Sequence, residues 1–190
     1  ADRVARTGIS AGEIVLSLDK NSYDWFDDVW VKPKSLVFPE GSVEVTIEPL
    51  DARFNINSIL NNDKSINTQS VNLFSNLLSV MGFPSSLLDT LLDWLDSDDF
   101  PRIFGAESEY YGTFNPPYKP ANGPLGDVTE LVFIKGFTPE ILMSGEDRTG
   151  LSDLLTIFSD NKINVNIASP LILQMLGYST DSVEKILNER

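Results

Sequence analysis

Apolar residues recur at helical spacing in three parts of the chain. Residues 2–20 place an apolar stripe on one face, and segments 69–81 and 85–95 repeat the same period. This spacing predicts three amphipathic helices. The stripe of the first helix consists of Val4, Ala11, Ile14, Val15 and Leu18. We expect that stripe to face the protein's own sheet or partner helices.

A strand pattern follows the first helix. Residues 43–48 alternate between apolar and polar side chains until Pro49, which predicts a half-buried strand that ends at the proline. The intervening segment 23–42 contains Pro33, Pro39 and Gly41 and is predicted to be a loop.

Two Asn-x-Asn motifs lie far apart, in "DARFNINSIL" and in "NKINVNIASP". Each precedes a helix-like segment. We predict two short strands, at 55–57 and 164–166, whose asparagine side chains bond the nearby backbone as the chain leaves the strand.

Three glycines, Gly82, Gly136 and Gly177, each lie between an apolar segment and an aromatic residue. They predict helix–turn–helix junctions in a small helical domain. The same pattern leaves open a helix-hairpin-helix protein that binds DNA phosphate. Few basic residues lie beside these junctions, which argues against that alternative.

The composition of the chain excludes several classes of function. Among 190 residues, 28 are acidic and 14 are basic, for a net charge of −14. Such a surface repels nucleic acids and anionic membranes. The chain has no cysteine and no histidine, so thiol chemistry, the usual general base and the commonest zinc ligand are excluded. The remaining metal chemistry is oxygen-based, for which calcium is the natural candidate.

The stretch "LLDWLDSDDFPRIFGAESEYY" concentrates acidic residues at the end of a predicted helix. Carboxylates at i, i+4 and i+7 repel one another, and the helix dipole disfavours negative charge at a C-terminus. A calcium ion would resolve both conflicts. The offsets of Asp96, Asp98 and Glu107 match those of an EF-hand, but Phe100 and Pro101 stand where its central ligand and glycine belong. The alternatives are a solvated acidic surface, a free-standing calcium-binding module or a catalytic pair of Asp96 and Glu107.

Several segments in the same order resemble the minor pseudopilin K family of type II secretion systems. They are the opening helix, "VEVTIEPLDARFNINSIL", "LLDWLDSDD", "GAESEYY", "YKPANGPLGDVTELVFIKGFTPE" and "INVNIASPLILQML". The resemblance implies an α+β fold, in which a pilin-like N-terminal helix with antiparallel strands carries a large inserted α-helical domain. The implied domains are a pilin-like part at 1–56, the inserted domain at 57–160, and a return strand with helices at 161–190.

The resemblance also implies a role. Family members are non-enzymatic subunits at the tip of the type II secretion pseudopilus. They assemble with the I and J minor pseudopilins, take part in protein export across the outer membrane and do not bind nucleic acid. We expect a periplasmic domain of an inner-membrane single-pass protein, whose anchoring segment precedes Ala1. Members bind calcium in the helical domain. For this chain, the resemblance implies that the calcium ligands are Asp96, Asp98 and Glu107, with Asp93 and Asp99 as second choices.

Overall fold

The computed structural model of the protein describes residues 2–20, 23–39 and 41–190. The chain forms two compact units, one of residues 1–49, 164–167 and 190, the other of residues 50–163 and 168–189. The domain boundaries predicted from the sequence lie at 56/57 and 160/161, and they remain predictions. The compact units divide the chain differently, because the segment after residue 167 packs with the helices of the larger unit.

The smaller unit consists of helix α1 (Asp2–Leu18) and an antiparallel hairpin of β1 (Lys34–Phe38) and β2 (Gly41–Val45). Lys34 lies opposite Val45 in this hairpin. Strand β1 lies in the segment that we predicted to be a loop, so that prediction was wrong there. The prolines on either side, Pro33 and Pro39, mask a short alternation of half-buried and exposed side chains.

Helix α1 packs on β2 through its glycines. Gly8 and Gly12 are its buried residues, and a Cβ atom at Gly8 would lie 3.0 Å from Cγ2 of Val43. Ile14 and Leu18 of the predicted stripe do not pack on this sheet, since they are 60% and 67% exposed; the alternative, that they face partner helices, stays a prediction. The close approach of helix and strand requires small residues, and this turns the flanking large side chains away from the sheet.

The larger unit is mainly helical. Its longest elements are α2 (Thr68–Val80), α3 (Ser86–Leu95) and α7 (Thr180–Glu189). Shorter helices are α4 (Ser108–Tyr111), α5 (Pro139–Leu142) and α6 (Pro170–Met175). Turns of 3₁₀ helix occupy Leu50–Ala52, Ile56–Ile59, Val128–Phe133 and Leu151–Leu154. The helices enclose one apolar core, whose fully buried side chains include Phe74, Leu77, Leu78, Leu91, Leu95, Tyr111 and Leu131.

The two Asn-x-Asn motifs form the predicted side-chain bonds. Asn55 Oδ1 accepts from the backbone N of Asn57 at 3.0 Å, and Asn164 Oδ1 accepts from Asn166 N at 3.1 Å. Strand β3 (Phe54–Asn55) pairs in parallel with β4 (Leu155–Thr156). The predicted strand at 164–166 was wrong, since the chain turns there. The buried strand that pairs with β3 is instead β4, which lies eight residues before this motif.

Two of the three junction glycines follow α-helices and adopt the left-handed conformation that glycine favours. Gly82 follows α2 with φ 71° and Gly177 follows α6 with φ 98°. After each, the next residue donates its N–H back to a carbonyl of the preceding helix, Phe83 to Leu78 and Tyr178 to Leu173. The predicted fold class, α+β, is confirmed by this combination of helices and a small antiparallel hairpin.

Candidate metal centre

The acidic stretch begins in a buried helix. Leu91 and Leu95 of α3 are almost fully enclosed, and Trp94 is only 5% exposed. Because α3 is buried on nearly all sides, Asp93 within it is 0% exposed, and Asp96, which directly follows it, is 9% exposed. Asp96 ends the helix in an extended conformation and donates its N–H to Leu92 O at 2.9 Å.

Arg102 neutralises two of these carboxylates. Its Nη1 lies 2.5 Å from Oδ1 of Asp93 and 2.6 Å from Oδ2 of Asp96. Its backbone N also donates to Oδ2 of Asp93 at 3.1 Å. The carboxylate of Asp93, a second-choice metal ligand, is therefore occupied by hydrogen bonds to Arg102.

Asp96 also belongs to a group of three carboxylates. Asp96, Asp98 and Glu107 each offer one oxygen, and the three oxygens lie within 4.8 Å of one another. Within the described residues, both carboxylate oxygens of Glu107 and Oδ1 of Asp96 are buried without a hydrogen-bond partner. The structure thus brings together the three residues that the sequence ranks first as metal ligands.

Electrostatics in this cluster oppose ionisation. Burial, followed by the charges of Asp93 and Asp96, raises the pKa of Glu107 to about 7. Burial also raises the pKa of Asp96, although its hydrogen bond to Arg102 acts in the opposite direction. A buried carboxylate with no donor favours either a bound proton or a bound cation.

The other sequence-predicted groups are engaged elsewhere. Asp99 is exposed, and its Oδ1 accepts from Ser108 N at 3.1 Å, an interaction with Ser108 that lowers the pKa of Asp99. Backbone carbonyls of the loop before Glu107 are engaged as well: Phe104 O and Gly105 O accept hydrogen bonds from Nζ of Lys135, at 3.1 and 2.9 Å.

Asn122 is a neighbour of the cluster that the sequence did not indicate. Its backbone N donates to Trp94 O at 3.0 Å, and its Nδ2 lies 3.5 Å from Asp98 O. Its Oδ1 is buried, and no described group donates to it. The only local signal is the Asn-Gly dipeptide, which suits the left-handed φ of 48° at Asn122 but says nothing about where the turn lies in space.

A second group of carboxylates, Asp19, Asp24 and Asp28, has a similar separation of oxygens. These residues already serve as hydrogen-bond partners in the smaller unit. Asp19 accepts from Trp30 Nε1 at 3.1 Å and Asp28 accepts from Trp25 N at 2.7 Å. We assign no ion to them.

Comparison with known proteins identifies the family of the central part of the chain. Residues 52–144 match the family model described as type II secretion system (T2SS), protein K. Type II secretion system protein K of Pseudomonas aeruginosa is 30% identical over 175 residues, which cover 88% of this chain and 50% of the relative. The protein of the same name from Klebsiella pneumoniae is 33% identical over 104 residues, covering 51% of this chain and 32% of the relative. The chain therefore spans half or less of these relatives.

A solved structure shares the fold. It is the GspK-GspI-GspJ complex from the enterotoxigenic Escherichia coli type 2 secretion system, matched with a TM-score of 0.72 at 22% identity. The match covers 90% of this chain and 64% of the other. None of these comparisons supports the DNA-binding alternative or the free-standing calcium module. They confirm the resemblance seen in the sequence motifs, and residues 52–144 are identified as a domain of the type II secretion system protein K family.

Proposed function

We propose that this chain is the periplasmic part of a minor pseudopilin K, a non-enzymatic subunit at the tip of the type II secretion pseudopilus that takes part in protein export. The main support is the likeness of 90% of the chain to a structure solved as a complex of GspK with GspI and GspJ. A structural role also agrees with a chain that has neither histidine nor cysteine to act as a base or a nucleophile.

The proposed partners are the I and J minor pseudopilins, with other pseudopilus or secretion-channel subunits as further contacts. Helix α1 supplies a surface for them. Its side chains Ile9, Ile14 and Leu18 are 66%, 60% and 67% exposed, although its glycine face is already packed on β2. Exposed apolar side chains on a helix favour packing against another protein surface.

None of the described helices, α1 included, combines the length and the apolar character that a bilayer span needs.

Co-purification with the periplasmic domains of the I and J pseudopilins tests the proposal. We expect a complex with the wild-type chain and a weaker one with Ile14→Asp, because the carboxylate would lie in the contact. Ser17→Asp, which adds the same charge at an exposed polar position of α1, should leave the complex intact. If the wild type binds neither partner, the tip assignment is wrong.

We also propose that a calcium ion is bound by Asp96, Asp98 and Glu107 and has a structural role. The residues present fit such an ion, since the centre contains oxygen donors only and three buried carboxylate oxygens lack a partner in the described structure. Calcium takes six to eight oxygen ligands. Oδ1 of Asn122, which is buried without a described hydrogen-bond partner, would supply a neutral ligand, and solvent would supply others.

Thermal melting in excess EGTA and then in 2 mM calcium tests this site. For a dissociation constant of about 0.1 mM, which is typical of extracellular modules, 2 mM calcium would stabilise the fold by about 1.8 kcal/mol. A chain of this size should then melt a few degrees higher.

Variants identify the ligands in the same assay. The double variant Asp96→Asn with Glu107→Gln should lose the calcium response. Asp99→Asn, whose exposed carboxylate bonds Ser108, should keep it. A wild type that does not respond to calcium rules out the site, and a response that survives in the double variant means that other ligands hold the ion.

A further inference from the structure

The larger unit carries an aromatic cavity that the proposed function does not use. It has a volume of about 480 Å³, which is within the range of ligand-binding pockets. We call it the aromatic box. Its apolar walls are Trp94, Phe114, Pro116, Pro117, Tyr118 and Phe133.

The rings of the aromatic box are held at angles to one another, as walls. Tyr118 lies 5.4 Å from Phe114 and 6.1 Å from Phe133 between ring centroids, with interplanar angles of 40° and 68°. Tyr118 also donates its hydroxyl to Phe133 O at 3.0 Å, which fixes its ring. Trp94 is 5% exposed, whereas Phe114 and Phe133 are 43% and 53% exposed. The box therefore has a rigid inner wall and an open mouth.

Aromatic faces carry partial negative charge and attract cations. One ring of the same aromatic cluster already does so: Nζ of Lys135 lies 5.1 Å above the ring of Tyr110, whose centroid is 5.4 Å from that of Phe114. The charge around the box points the same way. The chain has a net charge of −14, and segment 113–135 contains Asp127 and Glu130 together with Lys119 and Lys135. Nζ of Lys135 is already engaged by Phe104 O and Gly105 O. Glu130 lies one 3₁₀ turn before Phe133, on the same side of that helix.

We propose that the aromatic box binds an arginine side chain presented by an extended, proline-flanked segment of a partner protein. A planar guanidinium stacks on aromatic faces better than an ammonium does. Grooves lined with aromatic rings are the surface that extended proline-rich segments dock against.

Peptide titration of the ¹⁵N-labelled full chain tests this inference. The ligands are acetylated, amidated peptides Pro-Pro-Arg-Pro-Pro, the same peptide with citrulline, which is neutral and isosteric, and the same peptide with alanine. The indole N–H signal of Trp94 reports binding at the inner wall. We expect the arginine peptide to shift this signal and to bind about tenfold more tightly than the citrulline peptide.

Matched variants locate the site. Phe133→Ser and Phe114→Ser should each weaken the arginine peptide about tenfold or more, and both positions are exposed enough for the variants to fold. Phe158→Ser removes a phenylalanine that is 74% exposed and does not line the box, and it should bind as the wild type does. Equal affinity for arginine and citrulline peptides would overturn the cation site, and equal affinity for the alanine peptide would make it a polyproline groove instead. Unchanged binding in both box variants would overturn the location.

Discussion

Replacing Arg102 with methionine should destabilise the larger unit strongly, because it leaves a buried charge uncompensated. Asp93 is 0% exposed, and its carboxylate receives both Nη1 and the backbone N–H of Arg102. Methionine keeps the backbone donor and most of the apolar volume but removes the guanidinium. Asp93 would then lie in a site closed to water, with one donor instead of two.

The size of the effect follows from that geometry. Removing one partner of a buried ion pair typically costs about 3–5 kcal/mol. Arg102 is partly exposed, with 32% of its side chain accessible, and the backbone N–H remains, so we expect the low end, about 3 kcal/mol. For a chain of this size, that corresponds to a fall of about 6–12 °C in melting temperature.

Urea denaturation in EGTA, which removes any contribution from calcium, measures this loss. The rescue is Asp93→Asn in the Arg102→Met background, which should recover stability because a neutral amide needs no counter-charge. Lys32→Met is the matched control, since it breaks an ion pair with Asp27 at 2.7 Å whose side chains are 66% and 67% exposed. Exposed pairs contribute little, so it should cost about 0.5 kcal/mol or less. A loss below about 1 kcal/mol for Arg102→Met, or no rescue by Asp93→Asn, would refute the reasoning.

Three further predictions follow from other contacts. In EGTA, the raised pKa of Glu107, about 7 against an ordinary 4.5, contributes stability that is present below pH 4.5 and lost as the pH rises to about 7. Relative to Glu107→Gln, the wild type should lose up to about 3 kcal/mol across that window in urea titrations, and parallel curves would contradict this. Asn57→Ala removes two hydrogen bonds of 2.8 Å to the buried backbone of Leu125 and should cost about 2–4 kcal/mol by urea denaturation; a loss under 0.5 kcal/mol would show that water replaces the amide. Gly8→Val would force a side chain against Val43 and should cost about 1–3 kcal/mol, whereas a raised melting temperature would mean that α1 does not pack on β2 through its glycines.

Sequence periodicity was a good guide where a helix buries one apolar face. The helices predicted at 69–81 and 85–95 lie within a residue of α2 and α3. It was a poor guide to α1, where close packing depends on Gly8 and Gly12. Hydrophobic spacing counts large side chains and gives glycine no weight, so it did not indicate that Gly8 and Gly12 form the face against β2.

The candidate metal centre was predictable only for those of its residues that lie close together in the sequence. Asp96, Asp98 and Glu107 are close in sequence, and the conflict between their charges and the helix end was visible without a structure. Asn122 and Lys135 enter the neighbourhood through tertiary contacts with Trp94 O and Gly105 O, 28 and 30 residues away along the chain. No local pattern encodes those contacts. The role of Arg102 was also missed, because its sequence position beside six carboxylates does not say which of them it pairs with.

The carboxylates of this stretch are stabilised in different ways, and the difference gives the centre its chemistry. Exposed Asp99 accepts from a backbone N–H and needs nothing further. Asp93 and one oxygen of Asp96 share the single guanidinium of Arg102. Glu107 has neither a backbone N–H nor a guanidinium as a partner, because burial removes water and no described donor reaches either of its oxygens. The fold therefore leaves one buried negative charge that a proton balances at low pH. At neutral pH the same position, beside two other carboxylate oxygens, suits a divalent cation, and this is why we propose that the ion stabilises the fold rather than taking part in a reaction.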